Sequence, residues 1–375
     1  MKIQRIYQNI EQFLHPNKAL VLFGPRQVGK TTLMEDYLNV TSLKSKKVTG
    51  DDIMIHQVLG SQNLHEIQSF CQGYDLIAID EAQKIPNIGI SIKLMVDQIP
   101  GIRVMATGSS SFELAGQVGE PLTGRKTQLF LYPVSQMELL NLFNRFELKQ
   151  KLSDYLIYGG YPRVLTAESK SEKLQILSEI TGSYLFPDIF SFERIKSPQL
   201  LLDLLRLLAF QVGSEVSVNE LSNKLNIDNK TVKKYLELLE KSFILFKLRG
   251  YSGNLRKGIT RKSKYYFYDN GIRNAIITNF NSIDLRNDIG RLWENFLVTE
   301  RLKKQSYQSI FTNNFLWRSW SGSEVDFVEK RDGKLFGYAF KWAKDKVMEP
   351  KLWLETYPQA TFEIINRENY LNFIA

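Results

Sequence analysis

Cysteine is almost missing from this sequence: Cys71 is the only one among 375 residues. A lone thiol excludes an internal disulfide framework, and with three histidines in the chain no Cys/His cluster offers a structural zinc site. Long apolar runs are missing too. Stretches such as 19–23 and 76–79 fall far short of the roughly 20 residues that span a bilayer. The start, Met1-Lys2-Ile3-Gln4-Arg5, lacks the apolar centre of a secretory signal. These absences point to a cytoplasmic protein without a membrane role. The length suggests two or three domains, and 43% apolar with 24% charged residues is the balance of a globular chain.

The formal charge of +9 is informative because it is localised. Residues 196–265 hold 14 Lys or Arg against 6 Asp or Glu, a net +8. A concentrated excess suits a polyanionic partner better than general solubility, although a solvated basic face would read the same way.

The sharpest motif is Gly24-Pro25-Arg26-Gln27-Val28-Gly29-Lys30-Thr31, followed by Thr32. It comes directly after the apolar run Ala19-Leu20-Val21-Leu22-Phe23, a predicted buried strand, and directly before a predicted helix. Strand, glycine-rich loop and helix form the setting in which backbone amides can cradle phosphates. Gly24 and Gly29 allow the tight turn, and the helix start adds its unpaired N–H groups. Lys30 is placed for the β- and γ-phosphates, and Thr31 for Mg²⁺. About 50 residues later, Leu76-Ile77-Ala78-Ile79-Asp80-Glu81 predicts a buried strand ending in two carboxylates. Asp80 would join the Mg²⁺ shell opposite Thr31, and Glu81 would polarise the attacking water. A third strand runs into Thr107-Gly108-Ser109-Ser110, where Thr107, or else Ser109, is placed to sense the γ-phosphate or the water.

These segments resemble the AAA+-type ATPases of bacteria and archaea, and more narrowly those whose core is joined to a C-terminal region of unknown function. Leu122-Thr123-Gly124-Arg125, Leu131-Tyr132-Pro133-Val134-Ser135, Tyr158-Gly159-Gly160-Tyr161-Pro162 and Leu292-Trp293-Glu294-Asn295-Phe296 extend the likeness over most of residues 1–345. The resemblance implies ATP rather than GTP, with ATP/ADP as the bound nucleotides, and Arg125 as an arginine finger or phosphate sensor. The alternative for Arg125 is a plain surface cation.

The expected organisation is an α/β protein in four parts. Residues 1–134 form a P-loop ATPase core with a parallel sheet, and 135–195 a helical lid. Residues 196–270 form a winged helix, and 271–375 a small restriction-endonuclease-like α/β domain. Helical spacing predicts lid helices over 135–143, 148–158 and 171–185, with Arg163 after the Gly-Gly-Tyr-Pro turn either reaching nucleotide or serving structure alone. In the basic segment, Ser217 and Asp228 read as helix N-caps. Lys230, Lys233 and Lys234 lie on the candidate recognition helix, and Arg256, Lys257, Arg261 and Lys262 on the wing. Lysines suit phosphate contacts without base reading, so DNA is the expected partner, with protein docking or self-association as the alternative. The last part is similar to PD-(D/E)xK nucleases: Glu294, Asp326 and Lys341 match their acid, acid and lysine positions. Ala339 stands where a second carboxylate is required, so this domain is expected to be inactive. An ATP-dependent nuclease and a nucleotide-stabilised scaffold remain the competing readings.

Overall fold

The structure is a computed structural model that describes residues 3–109, 122–185, 197–251, 263–319, 321–343 and 350–375. Arg256, Lys257, Arg261 and Lys262 lie outside them.

β1 (Lys18–Phe23) is buried from Ala19 onward. Its side chains alternate between two cores: Ala19, Val21 and Phe23 enter one, Leu20 and Leu22 the other. A strand buried on both faces needs this unbroken apolar run, and it is central in a sheet of order β2-β3-β4-β1-β5. The partners are β2 (Ser45–Thr49), β3 (Leu76–Asp80), β4 (Arg103–Gly108) and β5 (Lys126–Phe130). Every pairing is parallel, so the carboxyl ends of β1, β3 and β4 emerge side by side. Helices α1 (Lys30–Leu38), α2 (Ile53–Leu59), α3 (Leu64–Cys71) and α4 (Ile88–Gln98) connect these strands.

The expected lid is more broken than helical spacing suggests. The first helix is one turn, α5 (Gln136–Leu139), closed by a capping box between Ser135 and Glu138. A second capping box at Asn144 starts α6 (Arg145–Gln150), and Lys151 separates it from α7 (Leu152–Tyr158), where one helix was expected. After the glycine turn come α8 (Pro162–Thr166) and α9 (Lys170–Glu179). The backbone of Ile180–Leu185 widens into a π-helical turn.

The basic segment runs α10 (Pro198–Phe210), β6 (Glu215–Val216), α11 (Val218–Leu225), α12 (Asn229–Lys241), β7 (Leu245–Gly250) and β8 (Ser263–Phe267). Ser217 and Asp228 cap α11 and α12 through their side chains, as their sequence positions predict. β6, β8 and β7 pair antiparallel. The expected boundary at 270/271 requires correction, because this small sheet does not end there. β7 pairs in parallel with β9 (Asn313–Arg318), which continues through β10 (Glu324–Arg331), β11 (Lys334–Phe340) and β12 (Thr361–Ile365). One seven-stranded sheet therefore crosses the boundary. α13 (Asn270–Ile276) and the long α14 (Ile289–Tyr307) pack against it, followed by α15 (Lys351–Thr356) and α16 (Tyr370–Ile374). Asn295 on α14 ties the layers by accepting from Phe267 N at 2.7 Å and donating to Phe267 O at 3.0 Å. Among the described residues no helix is long and apolar enough to cross a membrane.

Candidate active site

The loop between β1 and α1 turns through backbone angles that few side chains tolerate. Gly24 has φ +149, Gln27 φ +60 and Gly29 φ +97. A Cβ on Gly24 would stand 2.0 Å from the Leu131 carbonyl oxygen, so glycine is required there by contact as well as by angle. Such alternation aims successive amides into one concavity and makes an anion nest at the start of α1. Pro25, Arg26, Gln27 and Val28 complete the loop, and Thr32 follows in the first turn of α1. Lys30 is 5% exposed and folds over the loop, its ammonium donating to Gly24 O at 2.8 Å and Pro25 O at 2.7 Å.

The ends of β1, β3 and β4 meet at Asp80. The Thr31 hydroxyl lies 3.0 Å from both carboxylate oxygens. The Thr107 hydroxyl donates to Asp80 Oδ1 and accepts from Glu81 N at 3.1 Å. Thr107 thus bridges the Asp80 carboxylate and the Glu81 backbone amide, and buried Ser109 follows two residues later. Glu81 itself is left-handed, with φ +49. Gln83 Nε2 holds its Oε2 at 2.7 Å. Parallel hydroxyl and carboxylate oxygens beside an ammonium-bearing loop are the donor set of a hard divalent cation such as Mg²⁺, and the residues present fit it.

A cavity of about 590 Å³ opens beside the loop. Ile3 and Gln8 of the N-terminal segment, Leu33 and Tyr37 of α1, and Pro162 and Thr166 of α8 line it. Its volume and largely apolar walls are those of a small-ligand pocket. Arg163 also faces this region: it donates to Gln27 at 3.4 Å and pairs with Glu179 at 3.2 Å.

Sequence reasoning missed one group at the site. Buried Arg5 donates to Val28 O in the phosphate loop, to Tyr132 O at 2.6 Å, and to Glu138 at 2.8 Å. The Ser135-x-x-Glu138 pattern signals the cap locally, but nothing near Arg5 in sequence announces its partners.

Other expected site residues lie elsewhere. Arg125 pairs with Asp97 and precedes β5 at the end where Ala19 begins β1. The loop starts five residues along that strand, roughly 16 Å away at about 3.3 Å per residue, so Arg125 is not brought to it within one chain. Lys230, Lys233 and Lys234 lie along the exposed side of α12. Glu294 and Asp326 do come together, but around a residue not foreseen as their partner. Lys264, on β8, reaches Glu294 at 3.0 Å and Glu324 at 2.7 Å. Burial raises Glu294 to about 7 and also raises Asp326. Burial alone would lower Lys264, yet Glu294, Glu324 and Asp326 hold it above an ordinary lysine.

Residues 16–140 match a family model described as an AAA domain. Residues 149–283 and 289–354 match models described as domains of unknown function, DUF8612 and DUF4143. An uncharacterized protein of Haemophilus influenzae is 27% identical over 72% of this chain and 72% of its own length. Another from Mycobacterium tuberculosis is 25% identical over 88% of this chain and 72% of its own. A third, from Methanocaldococcus jannaschii, is 24% identical over 87% and 75%. The segment that is similar to an AAA domain thus holds the parallel sheet described above.

Proposed function

We propose that this chain is a cytoplasmic, Mg²⁺-dependent ATPase whose nucleotide state repositions a basic winged helix on DNA. The observation that carries the first half is the meeting of Thr31, Asp80 and Thr107 beside Lys30 at the carboxyl ends of three adjacent strands.

A triphosphate entering the loop competes with Gly24 O and Pro25 O for the Lys30 ammonium and takes hydrogen bonds from the loop amides. Thr31 and Asp80 would hold Mg²⁺, which when bound offsets negative charge on the phosphate oxygens. Glu81 orients the attacking water and accepts its proton. Thr107 links the backbone N–H of Glu81 to the Asp80 carboxylate, so a change at the terminal phosphate is felt at both residues. The cavity beside Tyr37 takes the base and ribose of ATP, and Arg163 on α8 reports loop occupancy through Gln27. Arg125, at the opposite end of the sheet, serves a neighbouring copy as its arginine finger rather than its own loop.

For the second half, the order helix, short strand, two helices, two strands with antiparallel β6-β8-β7 pairing supports a winged helix. Lys230, Lys233 and Lys234 then follow the phosphates from α12.

Steady-state phosphate release with ATP and Mg²⁺, lost in Lys30→Ala, tests the ATPase. Unchanged release in that variant rejects the site. Duplex binding measured against salt tests the partner: affinity must fall steeply as counterions compete, and a flat response removes DNA from the proposal.

A further inference from the structure

Outside the nucleotide site, three elements converge on one buried charge. Lys264 on β8 is 4% exposed. Its ammonium lies 3.0 Å from Glu294 of α14 and 2.7 Å from Glu324 of β10. Tyr266, two residues along β8, donates to the same Glu294 oxygen at 2.6 Å. Asp326, partly buried on the same strand as Glu324, accepts from Phe340 N at 2.8 Å and feels the charges of Lys264 and Lys341. The next residue back along β11, Ala339, offers no side-chain oxygen.

A divalent cation that activates water needs several oxygens directed at one point and at least one open position. Here the oxygens of Glu294 and Glu324 are already directed at an ammonium. A metal ion entering the cluster would have to expel Lys264 or stand against its positive charge. An expelled Lys264 would leave the hydrogen bonds that accompany its burial. The acid-and-lysine pattern of a metal nuclease is therefore present, but its residues do not fit the metal.

We propose that Lys264 is the resident cation of this pocket. Its ammonium neutralises the carboxylates that a nuclease would devote to metal, shuts divalent ions out, and clamps β8 to α14 and β10. The C-terminal unit is thereby a non-cutting module joined to the basic segment by an internal ion cluster. This does not depend on the ATPase reading.

The test is Mn²⁺ binding to the full-length, nucleotide-free protein, followed by the electron paramagnetic resonance signal of the free ion. An Asp80→Asn background removes any contribution from Thr31 and Asp80. In that background the otherwise native protein is expected to show no stoichiometric binding. Lys264→Ala should bind Mn²⁺ at least about tenfold more tightly, the scale on which groups around a metal move its affinity. Its melting temperature should then rise with Mn²⁺, and adding Asp326→Asn should abolish both gains. Stoichiometric Mn²⁺ binding with Lys264 intact, lost on Asp326→Asn, overturns the proposal; so does a folded Lys264→Ala that gains nothing. Should Lys264→Ala fail to fold, Lys264→Met keeps the stem and removes the charge, and the same two outcomes decide. The Lys264-intact arm decides independently of either variant.

Discussion

Asp80 and Glu81 are neighbours in sequence, yet the backbone turns left-handed at Glu81 and the two carboxylates find different partners. Asp80 is held by two hydroxyls, whereas the Glu81 carboxylate accepts from Gln83. Glu81→Gln keeps the shape and removes the base, so ATP affinity should persist while turnover drops by about 10²- to 10⁴-fold. Phosphate release alongside nucleotide binding checks this, and equal loss of both would assign Glu81 to binding instead. Gly24→Ala is expected to fail differently. Its methyl group would strike a backbone oxygen, which cannot rotate aside, so thermal stability should fall before any question of catalysis arises. A melting temperature equal to that of the parent chain would refute the close approach. At this scale much of the site was legible: Lys30, Thr31, Asp80 and Thr107 each carry a local pattern. Arg5 and Lys264 carried none, because their meaning lies in partners 23 and 133 residues away for Arg5, at Val28 and Glu138, and about thirty and sixty away for Lys264.

Two glycine-rich segments meet where α13 begins. Asp269 caps that helix through Ile272 N at 3.1 Å and accepts Gly160 N at 2.7 Å, so one carboxylate fixes both the helix start and the Gly-Gly-Tyr-Pro turn. A Cβ on Gly159 would come within 2.1 Å of it, and one on Gly271 within 2.0 Å of Tyr158 O. The sequence marks the first of these segments as a turn, but not as a socket for a distant acid. Burial raises the Asp269 carboxyl from its ordinary 3.8 to about 6, with the amides of Gly160 and Ile272 and the charge of Lys303 acting the other way. The folded pKa exceeds the unfolded one, so its contribution is fully present below about pH 4 and is lost as pH rises through about 6. Two pKa units correspond to about 3 kcal/mol. Against Asp269→Asn, which cannot ionise, the parent should therefore lose relative stability by about that amount between pH 4 and 7. Denaturant midpoints across that range measure it, and a pH-independent difference would show that Asp269 does not titrate there. The same scale explains the misread lid. Helical periodicity reports apolar spacing, whereas the break after Leu139 is followed by a new start that the Asn144 capping box sets; the break at Lys151 has no side-chain cap.

The whole molecule does not divide as its composition does. The basic segment looked separable because charge changes near its edges, but strand pairing depends on backbone, and β7 finds its partner in β9 beyond the expected boundary. A single apolar core likewise runs from Tyr7 and Leu20 through Leu156 and Leu236 to Leu297 and Phe373. Polar links thread the same path. Arg5 joins Val28 in the phosphate loop to Glu138, whose carboxylate also binds Ile6 N at 2.9 Å and Ser135 N at 2.9 Å. One residue from that cap, Gln136 N donates to Glu300 at 2.6 Å, and Glu300 pairs with Lys303, both on α14. Ligand that binds only the folded loop stabilises by about 2.7 kcal/mol at a hundredfold excess over its Kd, and this gain reaches every part that unfolds together with the loop. Amide hydrogen exchange should therefore slow on ATP and Mg²⁺ addition in α1 and, through Arg5 and Glu138, in the middle of α14. Arg5→Ala removes one partner of a buried pair, which costs about 3–5 kcal/mol and leaves Glu138 unpaired at its guanidinium side. In that variant α1 should still gain protection with ATP, while the response of α14 should shrink. Protection confined to 24–38 and the ends of β3 and β4 in the parent protein would mean that the shared core does not couple the two halves, and that the nucleotide acts on its own domain alone.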